Sequence, residues 1–320
     1  MKFLLLFFIL VLPGLCVVAQ KAEKVTAFSF MAIGDMPYFV PDDYSRFDNV
    51  IREINKVKIS FTIHVGDFKS SKMICSDEYY GRMVRYFQSF KKPLIYTPGD
   101  NEWTDCNKPE AGSYNSQERL AVIRKMFFPE RKNFGKEKIV LISQAENPLY
   151  KRFVENNRWE MNGIQFATLH VVGTNNNKLP DQPERMAEFE ERDKANIAWL
   201  EEVFKLASQS AKAGIVIAMQ ADMFNEEKGI IGFETLIQKL TALSIAFGKP
   251  VLLVNGDSHK FIVDKPLLRE RDIKIEKQRV VENFTRLQLF GEQDMHAVKI
   301  VVDPGFSGLF RIEQLMIQGN

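Results

Sequence analysis

The sequence predicts an α/β fold with a mostly parallel sheet and helices outside it, and three observations predict it. Continuous apolar, β-branched runs recur, as strands buried on both faces require. Amphipathic helical patterns lie between them. The runs end repeatedly in Gly or Asp. In chain order the expected strands are Phe28 to Ile33, Phe61 to Val65, Leu94 to Thr97, Ile164 to Val172, Ile215 to Met219 and Val251 to Val254. Helices are expected over Tyr44 to Val57, Asp77 to Phe90, Arg192 to Ala211 and Phe233 to Phe247, each with an apolar stripe at helical spacing. Strand–helix–strand alternation implies parallel pairing. The C-terminal part differs: Phe284 to Phe290 and Ala297 to Val302 flank Gly291-Glu292-Gln293-Asp294, the pattern of an antiparallel hairpin. Trp103 to Lys138 and Thr174 to Glu188 read as long surface loops.

The chain has 320 residues, with 45% hydrophobic and 26% charged residues, ordinary for a globular protein with a full core. A formal charge of +2 gives no reason to expect a nucleic-acid or membrane-surface partner. Lys2, the apolar run Phe3 to Leu12, the break at Pro13-Gly14 and the small residues before Gln20 read as a secretory signal at residues 1–19, cut after Ala19. The run falls short of the ~20 residues of a membrane-spanning helix. The mature protein is therefore expected to be secreted or periplasmic, without a stable membrane anchor. No linker or repeat divides the remainder, so residues 25–320 are expected to form one domain. Cys75 and Cys106 then remain. Export favours a disulfide over two buried thiols.

Four strands end in Gly-Asp: Gly34-Asp35, Gly66-Asp67, Gly99-Asp100 and Gly256-Asp257. One such pair is usually a turn. Four, at the carboxyl edge of a sheet where functional groups gather, bring carboxylates together. Crowded carboxylates repel unless a cation holds them, so a metal site is the natural reading.

Five ordered blocks resemble the calcineurin-like metallophosphoesterase superfamily, which includes purple acid phosphatases. They are Asp35-Met36-Pro37, Gly66-Asp67-Phe68-Lys69-Ser70, Gly99-Asp100-Asn101-Glu102, Ile217-Ala218-Met219-Gln220 and Gly256-Asp257-Ser258-His259. The resemblance spans Phe28 to Phe261 and implies a four-layer α/β/β/α sandwich with two mixed sheets. It implies a first metal on Asp35, Asp67 and His259, and a second on the bridging Asp67 with Asp100, Gln220 and Asp257. It also implies hydrolysis of a small phosphoester by a metal-activated water. The departures are as informative. Pro37, Gln220 and Asp257 stand where the family has histidines, and Asp100 where it has Asn. This oxygen-rich set favours Mn²⁺, Mg²⁺ or Ca²⁺, with Fe and Zn still open, and one or two ions per chain. Asn101 replaces the histidine that protonates the leaving group. Glu102, freed from orienting that histidine, is a candidate proton donor, ligand or structural group. The alternative is a relative that has lost catalysis and keeps a structural cation or ligand.

Around this set, Lys69 is a candidate phosphate partner or neutraliser of the acidic cluster. His170, Asn175 and Asn176, where a strand leaves the sheet, are candidate substrate contacts or plain turn residues. His64 reads as a core or supporting histidine. The sequence leaves the oligomeric state open.

Overall fold

The computed structural model describes residues 25–130, 132–225, 229–269 and 279–320. The expected signal segment lies outside the described residues.

A first sheet has the order β12-β11-β1-β2-β3, with β1 (Phe28–Ile33), β2 (Thr62–His64), β3 (Leu94–Tyr96), β11 (Ala297–Val302) and β12 (Phe310–Leu315). β1, β2 and β3 are parallel, whereas β11 is antiparallel to both β1 and β12. The second sheet has the order β4-β5-β6-β7-β8-β10-β9. Its strands are β4 (Ile142–Ser143), β5 (Asn157–Met161), β6 (Ile164–Thr168), β7 (Gly214–Ala218), β8 (Val251–Asn255), β9 (Ile262–Asp264) and β10 (Phe284–Gln288). β6, β7, β8 and β10 run parallel.

The sheets pack face to face. Phe30, Phe61 and Ile63 from one meet Trp159, Phe166, Val216 and Val254 from the other. Strand alternation divides β1 cleanly: Phe30 and Ala32 enter this inner layer, while Met31 and Ile33 point outward. On the outer side lie α1 (Asp42–Ile54), α2 (Asp77–Gln88) and α3 (Ser116–Phe127), burying Phe47, Ile51, Met83, Phe87 and Phe127. On the far side, α5 (Pro183–Gln209) and α6 (Glu234–Phe247) cover the second sheet through Trp199, Val203, Leu236 and Leu240. The four layers are α/β/β/α, as expected. Among the described residues no helix is long and apolar enough to cross a membrane.

Three expectations change. The C-terminal hairpin does not form, because β10 joins the second sheet and β11 the first. Residues 291–294 instead carry the chain between sheets and pack on Asp35, whose carbonyl accepts the Glu292 N–H at 2.8 Å. The expected loop 103–138 contains α3, whose Asn115 side chain caps the Gln117 and Glu118 amides. The expected loop 174–188 is shorter, since α5 begins at Pro183.

Candidate functional site

The five sequence blocks meet at the carboxyl ends of β1, β2, β3, β7 and β8. The acidic side chains are held by unusual backbone. Asp35, Asp67, Asp257 and His259 have φ of 52°, 54°, 75° and 58°, in the left-handed region. In three of the four Gly-Asp pairs the aspartate itself is left-handed. Gly99 and Gly256 serve close approach instead. A Cβ on Gly99 would lie 2.0 Å from Asp67 Oδ1, and one on Gly256 would lie 2.0 Å from Asp35 Oδ2.

At the inner end of the site, Asp67 Oδ2 accepts three hydrogen bonds: from Asn101 Nδ2 at 2.8 Å, Tyr38 Oη at 3.0 Å and Gln220 Nε2 at 3.1 Å. Asp67 Oδ1 accepts the Asn101 N–H at 3.0 Å. Gln220 Oε1 accepts the Gly173 N–H at 2.6 Å, which turns the amide nitrogen toward Asp67. Tyr38 is almost fully buried. Its hydroxyl lies 3.5 Å from Asp35 Oδ1, 2.9 Å from Asn101 Nδ2 and 3.3 Å from His259 Nε2. Both Asp35 oxygens accept the Asp257 N–H, at 3.1 and 3.2 Å. His259 Nδ1 faces Glu292 Oε2 at 3.3 Å.

The outer end is a cleft of about 330 Å³ lined by Asp100, Gly173, Thr174, Asn175, Asp222, Phe233 and Asp257. Asp100 and Asp257 face each other over Gly173, where a Cβ would lie 2.9–3.0 Å from their oxygens. The Thr174 hydroxyl donates to Asp100 Oδ2 at 2.6 Å. Thr174, Asn175, Asn176 and Asn177 are successive left-handed residues, three of them in the one-turn segment α4 (Gly173–Asn176). Left-handed runs are disfavoured for L-residues, and asparagine tolerates them best. Arg192 holds this turn from α5, donating to the Asn176 carbonyl at 2.9 Å and the His170 carbonyl at 2.9 Å.

The other expected site residues lie behind this surface. Glu102 is fully buried; Oε1 accepts from the Asp67 and Gly99 amides, both at 3.0 Å, and from Tyr96 Oη at 2.8 Å. Buried Lys69 donates to the Ser70 and Asn101 carbonyls, at 2.9 and 2.7 Å. His170 pairs with Glu155 at 2.8 Å and packs on Trp103, away from the cleft. The Asn176 side chain is turned inward, donating to the Gly232 carbonyl at 3.1 Å. Only Asn175 of the four expected substrate contacts lines the cleft. Cys75 and Cys106 form a disulfide that ties the second and third blocks together. Sequence reasoning missed Tyr38, Asp222 and Phe233. Asp222 receives Arg286 Nη1 at 2.8 Å and the Ser258 hydroxyl at 2.7 Å.

Burial raises the Asp67 carboxyl well above the usual range, and Asp100, Glu102 and Asp35 add to the shift. Burial first, then Asp105 and Asp257, pushes Asp100 up to about 7. Asp35 is raised by burial despite His259. Burial draws the His259 imidazole down, but Asp35 and Glu292 outweigh it and leave a net rise. Burial brings Lys69 down to about 8 against the pull of the nearby carboxylates.

No protein-family model and no curated protein sequence matches the chain. Solved structures do match. A dimetal phosphatase from Danio rerio is 10% identical, with a TM-score of 0.52 over 91% of this chain and 99% of its own. The purple acid phosphatase PPD1 from yellow lupin (Lupinus luteus) seeds is 12% identical, with a TM-score of 0.51 over 87% of this chain. This chain spans 50% of the lupin protein's length. GAP50, the anchor in the inner membrane complex of Plasmodium, aligns at 11% identity and a TM-score of 0.49, covering 93% of this chain and 90% of that one. The fold is that of the calcineurin-like metallophosphoesterases.

The metal positions implied by this fold do not fit equally well. A tyrosine hydroxyl and two amide NH₂ groups converge on Asp67 Oδ2, the oxygen both positions would share, and the Gln220 amide so turned is lost to the outer position as a ligand. Hydrogen-bond donors there oppose a cation. The outer one offers two carboxylates beside an open cleft, which suits an ion such as Mg²⁺ that keeps several waters. Among the described residues, no three His, Cys, Asp or Glu side chains form a ready metal centre.

Proposed function

We propose that the protein is an exported, cation-dependent phosphoric ester hydrolase that receives a small phosphoester in the cleft over Gly173. The observation that carries this reading is the left-handed backbone of Asp35, Asp67, Asp257 and His259. Such a conformation costs about 1–3 kcal/mol per residue with a side chain and gathers at functional sites. Four together at the adjoining edges of the two sheets argue for selection on what their side chains do.

Asp100 and Asp257 would hold the cation, with Mn²⁺, Mg²⁺ or Ca²⁺ favoured by the oxygen donors. When bound, it would supply a Lewis acid and a water of lowered pKa. The chain's own residues shape the rest. Thr174 fixes Asp100 through its hydroxyl bond. Asn175 gives the cleft a polar wall and Phe233 an apolar one. Arg286 holds Asp222 in place.

One observation favours the second reading, a fold relative without catalysis. Asn101 and Glu102, at the proton-donating block, are bonded to Tyr38, Asp67 and backbone amides rather than turned to the cleft. The test is hydrolysis of nitrophenyl mono- and diesters by metal-stripped protein, with each divalent ion restored in turn. Turnover restored by Mn²⁺ or Mg²⁺ and lost in Asp257→Asn supports the hydrolase. Turnover no greater than that of Asp257→Asn, with every ion and both esters, supports the non-catalytic reading.

A further inference from the structure

We propose that the inner cation position of this fold is closed in this chain by the Tyr38 hydroxyl and the Asn101 and Gln220 amides, leaving a site for one cation at Asp100 and Asp257. The inference deepens the function proposed above and rests on its cation.

The argument starts from Asp67 Oδ2. By the family resemblance this carboxylate bridges two metals. Here a single oxygen takes three protein donors within 3.1 Å. A carboxylate oxygen so saturated has no lone pair directed at a metal.

The Gln220 amide is fixed in this orientation, and the backbones of Asn101 and Tyr38 are anchored beside it. Gln220 Oε1 is pinned by the Gly173 N–H, so flipping the amide would leave that buried N–H facing an NH₂ group. Asn101 anchors its own backbone N–H on the other Asp67 oxygen. The Tyr38 backbone N–H donates to Asp43 Oδ2 at 3.0 Å, at the start of α1, and the ring packs edge-on against His259 with centroids 5.1 Å apart.

Space gives the same answer. The inner cation would need oxygen and nitrogen donors from Asp35, Asp67 and His259 at about 2.0–2.6 Å. The Tyr38 hydroxyl already lies within 3.5 Å of a donor atom on each. It occupies the ground between them, and bonds that a cation would make are made by protons instead. Entry would require expelling a buried phenol and leaving two amide NH₂ groups aimed at a positive ion.

At the outer position Asp257 Oδ2 accepts the Asp222 N–H at 3.1 Å, and both carboxylates line the open cleft. The hydroxyl bonded to Asp100 belongs to Thr174, at the cleft surface, where water and ligand have access.

The test counts ions. The full mature protein is stripped with a chelator and titrated with Mn²⁺ by calorimetry, and the loaded form is examined by electron paramagnetic resonance. One Mn²⁺ per chain is expected, with the six-line signal of an isolated ion. It should be lost in Asp100→Asn and kept in Asp35→Asn. Tyr38→Phe/Gln220→His, which removes two of the donors, should admit a second ion and give a spin-coupled signal. A thermal melt confirms that each variant is folded. Two coupled ions in the unaltered protein would overturn the inference while leaving the proposed function standing. So would one ion lost in Asp35→Asn but kept in Asp100→Asn, or a folded double variant that still takes one ion. No bound ion would overturn both the inference and the cation-dependent reading.

Discussion

Replacement of Glu102 separates a chemical from a structural role for the third block. In Glu102→Gln the amide oxygen can occupy the Oε1 position and keep its bonds from the Asp67 and Gly99 amides and the Tyr96 hydroxyl, while the NH₂ group takes the Oε2 position and costs the second, 3.1 Å contact with the Asp67 N–H. The change should therefore cost no more than about 1–2 kcal/mol. Glu102→Ala strands those three donors in a fully buried place. Unsatisfied buried donors cost about 1–3 kcal/mol each, so roughly 4–6 kcal/mol is expected after partial relaxation. At about 2.1 cal/mol/K per residue of unfolding entropy, a domain of this size should melt roughly 6–10 °C lower. A general acid contributes about 10²–10⁴-fold to rate. The measurements are a thermal melt and nitrophenyl ester turnover for both variants. The expected pattern is near-normal turnover in Glu102→Gln and a large loss of stability in Glu102→Ala. A drop of 100-fold or more in Glu102→Gln with an unchanged melt would refute the structural assignment.

Removing the Cys75–Cys106 bridge by double Ser substitution frees a loop with a sequence separation of 31 residues. Loop-closure entropy gives a loss of about 3–4 kcal/mol, read from denaturant unfolding with and without reductant. Gly99→Ala should weaken cation binding, because its Cβ would lie 2.6 Å from the Asp67 backbone nitrogen and would push the adjoining Asp100 out of place; calorimetric Mn²⁺ titration of the folded variant checks it. His64 is fully buried on β2, and burial pushes it down to about 3. Its folded pKa lies below the unfolded 6.5, so the unfolded chain takes up the proton first. The resulting stability is full above about pH 6.5 and is lost as pH falls from there toward 3. Urea unfolding at pH 7 and pH 5 should show a smaller acid loss in His64→Gln than in the unaltered chain; an equal loss would refute the assignment.

Strands were legible because burial on both faces writes itself as an unbroken apolar run, and β1, β7 and β8 carry such runs. Partner choice is not written that way. Phe284 to Phe290 and Ala297 to Val302 look like neighbours in sequence, yet long-range packing assigns them to different sheets. Their connection is built into the site, with Gly291 packed on Asp35. The first turns of α5 were hidden for another reason. Residues 183–191 are highly charged and show little apolar stripe, and the helix is held there by contacts such as Arg185 with Asn177. α3 did carry a local signal, the Asn115 cap before Gln117 and Glu118.

The site divides along the same line. Asp35, Asp67, Asp100, Asp257 and His259 could be read from the sequence as neighbours because each follows a strand and the topology brings strand ends together. Tyr38 could not be found by spacing. It stands three residues after Asp35, and it reaches Asp67 because Asp35 turns left-handed and the Asp43 carboxylate holds the Tyr38 amide. Gln220 was visible as a ligand position, but not the direction of its amide. That direction is set by the Gly173 N–H, 47 residues away in sequence. Loss of a histidine by itself leaves a weaker ligand, and a cation can still bind through an amide oxygen. Reversal of the amide turns the same residue into a donor that competes with the cation. The difference between a weakened metal site and a closed one therefore lies in a backbone contact from a neighbouring strand end, which side-chain identities along the blocks do not record.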